Sequence, residues 1–159
     1  MADDTDTVRF TIGRFECSPG APSTVPGKVL FTIDFRHPEH HIFKEKGDLI
    51  PEICKASAGK CRVEVDRITY TEPVAFDCNV MDLVRSSANA LGLSNIDMVS
   101  GAGHDAMHIA PLCPAGMIFV PCEKGISHNE SENASPGDLA DGVRVLVSSL
   151  VALAEPEYG

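Results

Sequence analysis

Basic charge is scarce in this chain: 13 lysines and arginines stand against 23 aspartates and glutamates, a net charge of −10 over 159 residues. Such a surface does not attract nucleic-acid phosphates or an anionic membrane, so neither is expected as a partner. Long apolar runs are missing too; none approaches the roughly 20 residues that a membrane span needs. The start, Met1-Ala2-Asp3-Asp4, is acidic where a secretory signal is basic and then apolar, and a cytoplasmic location is expected. Cys17, Cys54, Cys61, Cys78, Cys113 and Cys122 include no CxxC pair, which removes a zinc ribbon and a thioredoxin-type motif and leaves reduced core or surface thiols. GxSxG is absent, no surroundings support Cys113 or Cys122 as a nucleophile, and Gly101-Ala102-Gly103 lacks the third glycine of a dinucleotide fingerprint.

What is present has the profile of a soluble globular protein, with 43% apolar and 23% charged residues and a length for one domain or two small ones. Two blocks emerge. In the first, Arg9 to Cys17 reads as a strand that ends in the turn-rich Ser18-Pro19-Gly20-Ala21-Pro22-Ser23. Val29, Phe31, Ile33 and Phe35 then alternate with Leu30, Thr32, Asp34 and Arg36, which is the period of a strand with one buried face and sets Asp34 and Arg36 on the other. Ile42, Leu49, Ile50 and Ile53 predict a helix that Gly47 and Pro51 should weaken or kink. Cys61 to Asp66 alternates again, a third strand, with antiparallel pairing expected.

The second block begins near Thr71-Glu72-Pro73, where a proline marks a crossing between domains. Val80 to Leu91 has helical spacing with Gly92 as its left-handed stop. Asp97 to Ser100 predicts a short strand running into Gly101-Ala102-Gly103. Met117 to Val120, continuously apolar, predicts a parallel strand covered on both faces. A final helix is signed by Ser135 as N-cap, Pro136 in the first position and Asp138 in the first turn, with Leu139, Val143, Leu146, Leu150 and Leu153 as one apolar stripe.

Chemistry concentrates in three places. Gly125-Ile126-Ser127-His128-Asn129-Glu130-Ser131-Glu132 follows the apolar strand, beyond whose carboxyl end an α/β sheet gathers its ligands. His128 is the first candidate metal ligand, with Glu130 or Glu132 as acceptors that fix its tautomer; a plain loop histidine among solvated acids is the competing reading. Ser100-Gly101-Ala102-Gly103-His104-Asp105-Ala106-Met107-His108 has glycines that let backbone approach a ligand. Its His104 and His108 imitate the HExxH helix of zinc proteases, but aspartate replaces the glutamate and the glycines put His104 at the helix start. Arg36, at a strand end, is either a bidentate clamp for a substrate carboxylate or the partner of Asp34 two residues away. His37, His40 and His41 read as solvated surface rather than a metal cluster.

Taken in order, Val25-Pro26-Gly27-Lys28-Val29, Asp34-Phe35-Arg36, the segment from Ser100 to Ala106 and the segment from Gly125 to Glu132 form one series. It resembles the hydantoinase/carbamoylase branch of the two-metal amidohydrolases, the group of N-carbamoyl-L-amino-acid hydrolases, β-ureidopropionases and allantoate amidohydrolases, and it covers their C-terminal part only. The resemblance implies a mixed α/β and α+β architecture: residues 1–70 as the end of a small ferredoxin-like lid and dimerisation domain, residues 71–159 as the C-terminal half of a metallopeptidase-like α/β catalytic domain. It implies that His128 binds one of two divalent ions (zinc, manganese, cobalt or nickel). His104 becomes a substrate-contacting histidine that stabilises the transition state, and Arg36 the carboxylate clamp, reaching into the partner subunit's site. Ser23 stands where the family has an asparagine sharing that task, so carboxylate binding is expected to be weaker or altered.

The implied activity is hydrolysis of C–N bonds in N-carbamoyl amino acids or related ureides. The family's bridging aspartate, glutamate base and other metal ligands lie in an N-terminal half that this sequence does not contain. One histidine cannot hold two ions, since zinc-type sites need three or four ligands, so the isolated chain is expected to be inactive. It would then be a segment supplied with a complementing N-terminal polypeptide or acting as a homo-oligomer. The alternative is a non-catalytic dimerisation or carboxylate-binding module derived from the same family.

Overall fold

The structure, a computed structural model, describes residues 7–154, so the acidic residues 1–4 lie outside it. The chain divides into two compact units. One runs to Val74 and also takes in Val99–Ala102; the other comprises Ala75–Met98 and continues from Gly103.

The first unit is built on an antiparallel ribbon of β1 (Arg9–Ser18) and β2 (Lys28–Arg36). Register runs from Ser18 opposite Lys28 at the turn end to Arg9 opposite Arg36 at the other, with an irregularity between Ile12 and Phe15. The turn closes through Thr24 N–H to the Ala21 carbonyl (3.2 Å) and Gly27 N–H to the Ser18 carbonyl (2.9 Å), while Gly20 takes a left-handed φ of 66° that only glycine adopts without cost. Helix α1 (His40–Ser57) follows and packs on β2 through an aromatic stack. Phe35 lies over Phe43 with ring centres 6.1 Å apart, Phe43 tilts against Tyr70 at 5.3 Å, and the Arg67 guanidinium sits 5.1 Å from the Tyr70 ring centre. Gly47 faces the Phe35 ring, where a methyl would sit at an ordinary 3.9 Å, so the approach does not require glycine. Pro51, expected to weaken or kink the helix, sits inside one uninterrupted α-helix.

In the second unit α2 (Cys78–Ala90) starts at Asp77, whose carboxylate accepts from the N–H groups of Asn79 (2.9 Å) and Val80 (3.0 Å). Gly92, at φ 72°, ends it as expected: Leu93 N–H reaches the Ala88 carbonyl and Gly92 N–H the Asn89 carbonyl, both at 3.0 Å, the paired bonds of a Schellman stop. Arg85 grips Asp97 (2.6 Å) and Asp82, tying the chain after α2 back to the helix. A single helical turn, α3 (Ala106–Ile109), and a 3-10 turn at Glu123–Gly125 precede α4 (Pro136–Ala154). Ser135 caps α4 as expected, its Oγ accepting from Asp138 N–H (3.0 Å) and donating to the Asp138 carboxylate (2.6 Å).

Three expected strands are not formed. Cys61 to Asp66, Asp97 to Ser100 and Met117 to Val120 carry no ladder, because the only sheet among the described residues is the β1–β2 ribbon. A strand exists by pairing, and alternation or apolarity supplies a face but no partner. Met117, Ile118 and Val120 are half-buried and Phe119 is 45% exposed, short of the double-sided cover expected. The apolar stripe of α4 is likewise open to solvent. The helix packs instead through its small side: Gly142 approaches Val120, and Val145 and Ser149 are buried. Among the described residues no larger hydrophobic is buried except Val145, joined in the core by Ala88. No helix among the described residues is long and apolar enough to cross a membrane.

Candidate functional site

Arg36 ends β2, and because side chains alternate along a strand it shares a face with Asp34. Nε donates to one Asp34 carboxylate oxygen at 2.9 Å and Nη2 to the other at 2.5 Å, while Nη1 donates to the Gly101 carbonyl at 2.7 Å. Of the two readings of Arg36, the ion pair is present, and three of its five N–H donors are engaged. Chiefly through that hydrogen bonding, the guanidinium holds the Asp34 carboxyl below the usual carboxylate value, and Asp34 holds Arg36 above its own. Both side chains remain about half exposed.

The glycine-rich segment contributes to both units. Gly101 packs on the Arg9 side chain, where an added methyl would lie 3.5 Å from Cγ, and Ala102 N–H donates to Ser100 Oγ at 3.2 Å. His104, in the second unit, is half-buried with its ring in a T-shaped contact with that of Phe119, centres 5.5 Å apart. Its carbonyl accepts from Met107 N–H at 3.0 Å, so the histidine precedes α3 rather than riding on it. His104 and His108 therefore do not share one helix face, which disposes of the protease-like spacing. Ser23 is exposed in the turn between the strands, at the opposite end of the ribbon from Arg36.

His128 is exposed and takes a left-handed φ of 56°, a conformation that costs a non-glycine residue about 1–2 kcal/mol. The loop holds it there: Glu132 accepts the His128 backbone N–H at 2.7 Å, and Asn129 Oδ1 accepts from both Ser131 N–H (2.9 Å) and Ser131 Oγ (2.6 Å). Glu132, one of the two acids expected as acceptors for the imidazole, accepts the backbone N–H instead. The loop's stem is clamped by Glu123 N–H to the Asn133 carbonyl (2.6 Å) and Asn133 Nδ2 to Glu123 Oε2 (3.1 Å). The sequence reading missed this backbone role, although histidine and asparagine are among the residues enriched at positive φ.

Of the histidine triple, His37 is not solvated surface. It is 7% exposed, with Nδ1 accepting Glu39 N–H at 3.0 Å and Nε2 3.4 Å from Thr7 Oγ1. His40 and His41 are exposed and pair with Glu72 (3.1 Å) and Glu39 (3.7 Å). All six cysteines are free thiols, none in the core. Among the described residues no three His, Cys, Asp or Glu side chains converge as metal ligands do. The donors present therefore do not by themselves fit a divalent ion, which needs three or four protein ligands in the zinc-type sites the motifs suggest.

Comparison with known proteins places this arrangement. The model of peptidase family M20/M25/M40 matches residues 3–152. An N-carbamoyl-L-amino-acid amidohydrolase of Rhizobium meliloti is 37% identical over 148 residues, 91% of this chain and 35% of the relative. An allantoate amidohydrolase of Bacillus subtilis is 37% identical over 153 residues, 94% of this chain and 37% of the relative. A solved hydantoinase/carbamoylase-family amidase from Burkholderia multivorans superposes with a TM-score of 0.89 at 37% identity, covering 94% of this chain and 37% of that one. The chain thus spans about a third of the length of the relatives it matches.

Proposed function

Because this chain belongs to peptidase family M20/M25/M40, we propose that it is the C-terminal segment of a metal-dependent amidohydrolase cleaving C–N bonds of N-carbamoyl amino acids or related ureides. The observation that carries this is 37% identity to relatives named for that chemistry, over 91–94% of the chain but only 35–37% of theirs. The split falls near residue 70, with a lid and dimerisation part before it and a catalytic part after it. The setting is cytoplasmic.

Within this reading the chain supplies recognition and one ligand. Arg36 binds the substrate carboxylate; the Asp34 pair and the Gly101 carbonyl fix its plane, and two N–H donors remain to receive the two oxygens, a match that lysine cannot offer. Ser23, with a single hydroxyl on the distal turn, is a weaker contributor than an amide, and its place at the other end of the ribbon favours its acting on a different copy of the site from Arg36. His104, oriented by Phe119, contacts the substrate and stabilises the developing charge. His128 serves as one ligand of a divalent ion, zinc, manganese, cobalt or nickel. The other ligands and the general base come from the part of the fold outside this chain, so the chain alone is inactive.

The test is hydrolysis of an N-carbamoyl-L-amino acid and of allantoate, with bound metal measured in parallel, for the chain alone and with the complementary portion of a relative. Turnover and stoichiometric metal only in the mixture are expected. Turnover by the chain alone, or a mixture that binds metal without hydrolysing either substrate, overturns the reading.

A further inference from the structure

The turn from β2 into α1 is held by a ring and not by a cap. Glu39, the N-cap residue of α1, makes no side-chain capping bond. Pro38 brings no N–H. Glu39 N–H is taken by His37 Nδ1 at 3.0 Å, two residues back, which is the span of an Asx-turn with an imidazole nitrogen in place of the amide oxygen. A nitrogen that accepts carries no proton, so the buried ring is neutral with its hydrogen on Nε2, 3.4 Å from Thr7 Oγ1. No carboxylate pairs with it among the described residues: Glu39 pairs with His41, and Glu72 with His40. The cations at this end of the ribbon are Arg36, the preceding residue, and Arg9, which stands opposite Arg36 in the register.

Histidine is the side chain whose charge ordinarily changes between about pH 5 and 8. A proton on Nδ1 would set two N–H donors against each other and bury a charge that has no counter-ion. The Phe35–Phe43 stack ties β2 to α1 on either side of the turn, so the release stays local to the chain just after Arg36. We infer that His37 is a positioning residue for Arg36 and makes the turn a pH-sensitive latch. Neutral, the ring pins the backbone from which the guanidinium reaches Asp34 and the Gly101 carbonyl; protonated, it lets the turn go. The consequence, loss of carboxylate capture on acidification, rests on the clamp role proposed above, whereas the latch itself rests on the geometry of the turn.

The experiment is NMR of the full chain across that pH range. Ring-nitrogen shifts read the tautomer and protonation of His37, hydrogen exchange reads the protection of Glu39 N–H, and the Arg36 Nε–H signal reports its bond to Asp34. The Nε2–H tautomer is expected at the alkaline end. As the ring protonates, Glu39 protection should fall about tenfold and the Arg36 signal should move on the same curve, while Asn79 and Val80, held by the Asp77 carboxylate, keep their protection. His37→Asn puts an amide oxygen in the place of Nδ1 and does not titrate, so it should protect Glu39 and hold the Arg36 signal throughout; His37→Ala should protect at no pH. Circular dichroism checks that both variants keep their helices. An Nδ1–H tautomer, Glu39 protection indifferent to the ring's charge, a ring still neutral at the acid end, or an asparagine variant that behaves like the alanine one overturns the inference. With N-carbamoylglycine added as probe, a latch that works as described while Arg36 ignores the carboxylate leaves the latch standing and removes only the proposed clamp.

Discussion

Gly142 offers a sharp test of how α4 is seated. In an exposed helix interior, replacing glycine by alanine stabilises by about 1 kcal/mol, because alanine has less backbone freedom to lose. Here an ideal Cβ at 142 would meet Val120 Cγ1 at 2.6 Å, about 1 Å inside the ordinary carbon–carbon separation. The valine cannot give cheaply, being branched at Cβ and stiff about χ1. Overpacking of this size costs about 1–3 kcal/mol. The clash therefore offsets the helix gain or exceeds it, and Gly142→Ala should be destabilising by about 0–2 kcal/mol, a fall in midpoint of up to roughly 8 °C for a chain of this length.

Gly137 is the control, since a methyl there would meet only Ser135 Oγ at an ordinary 3.6 Å; Gly137→Ala should be neutral or stabilising by about 0.5 kcal/mol. The decisive arm is the double-mutant cycle. Once Val120→Ala has removed the obstructing methyl, Gly142→Ala should become stabilising, with a coupling of about 1–3 kcal/mol. Urea unfolding followed by circular dichroism reads all four states. If Gly142→Ala stabilises the parent and the Val120→Ala background equally, α4 does not approach the 117–120 segment as described, and the placement of the His128 loop that follows that segment loses its support.

Four further outcomes follow from individual contacts. Asp77→Ala removes the acceptor for two N–H groups at the start of α2 and should cost about 1 kcal/mol in urea unfolding, with Asp77→Ser retaining most of the stability. Ser149 buries its hydroxyl without a hydrogen-bond partner, so Ser149→Ala should leave stability unchanged or raise it by about 1 kcal/mol, and a clear loss would mean that the hydroxyl has a partner. Asp34, held below its unfolded value by Arg36, contributes stability that is present above the unfolded carboxylate pKa and is lost as pH falls through the folded one. Acid titration of the parent should accordingly show a loss below about pH 4 that Asp34→Asn removes, small because both partners are half exposed. In the complemented enzyme Arg36→Lys should raise KM for carboxylate-bearing substrates with little change in kcat, and an unchanged KM would remove the clamp.

The elements legible in the sequence are those whose cause is local. Ser135, Pro136 and Asp138 announce α4 because capping is decided within one turn, and Gly92 ends α2 because only its own φ is at stake. Lys28 to Arg36 was readable because its alternation coincides with an antiparallel neighbour a short turn away. The unpaired segments at 61–66, 97–100 and 117–120 failed for the opposite reason: their pattern states which face is apolar, while the ladder that makes a strand depends on chain elsewhere. The same distinction governs the site. Arg36 with Asp34 is a two-residue spacing and was legible, but the Gly101 carbonyl as its third partner is 65 residues distant. At His128 the residue type was visible and the backbone conformation was not, so Glu132 could be seen as an acceptor but not as the acceptor of a main-chain N–H.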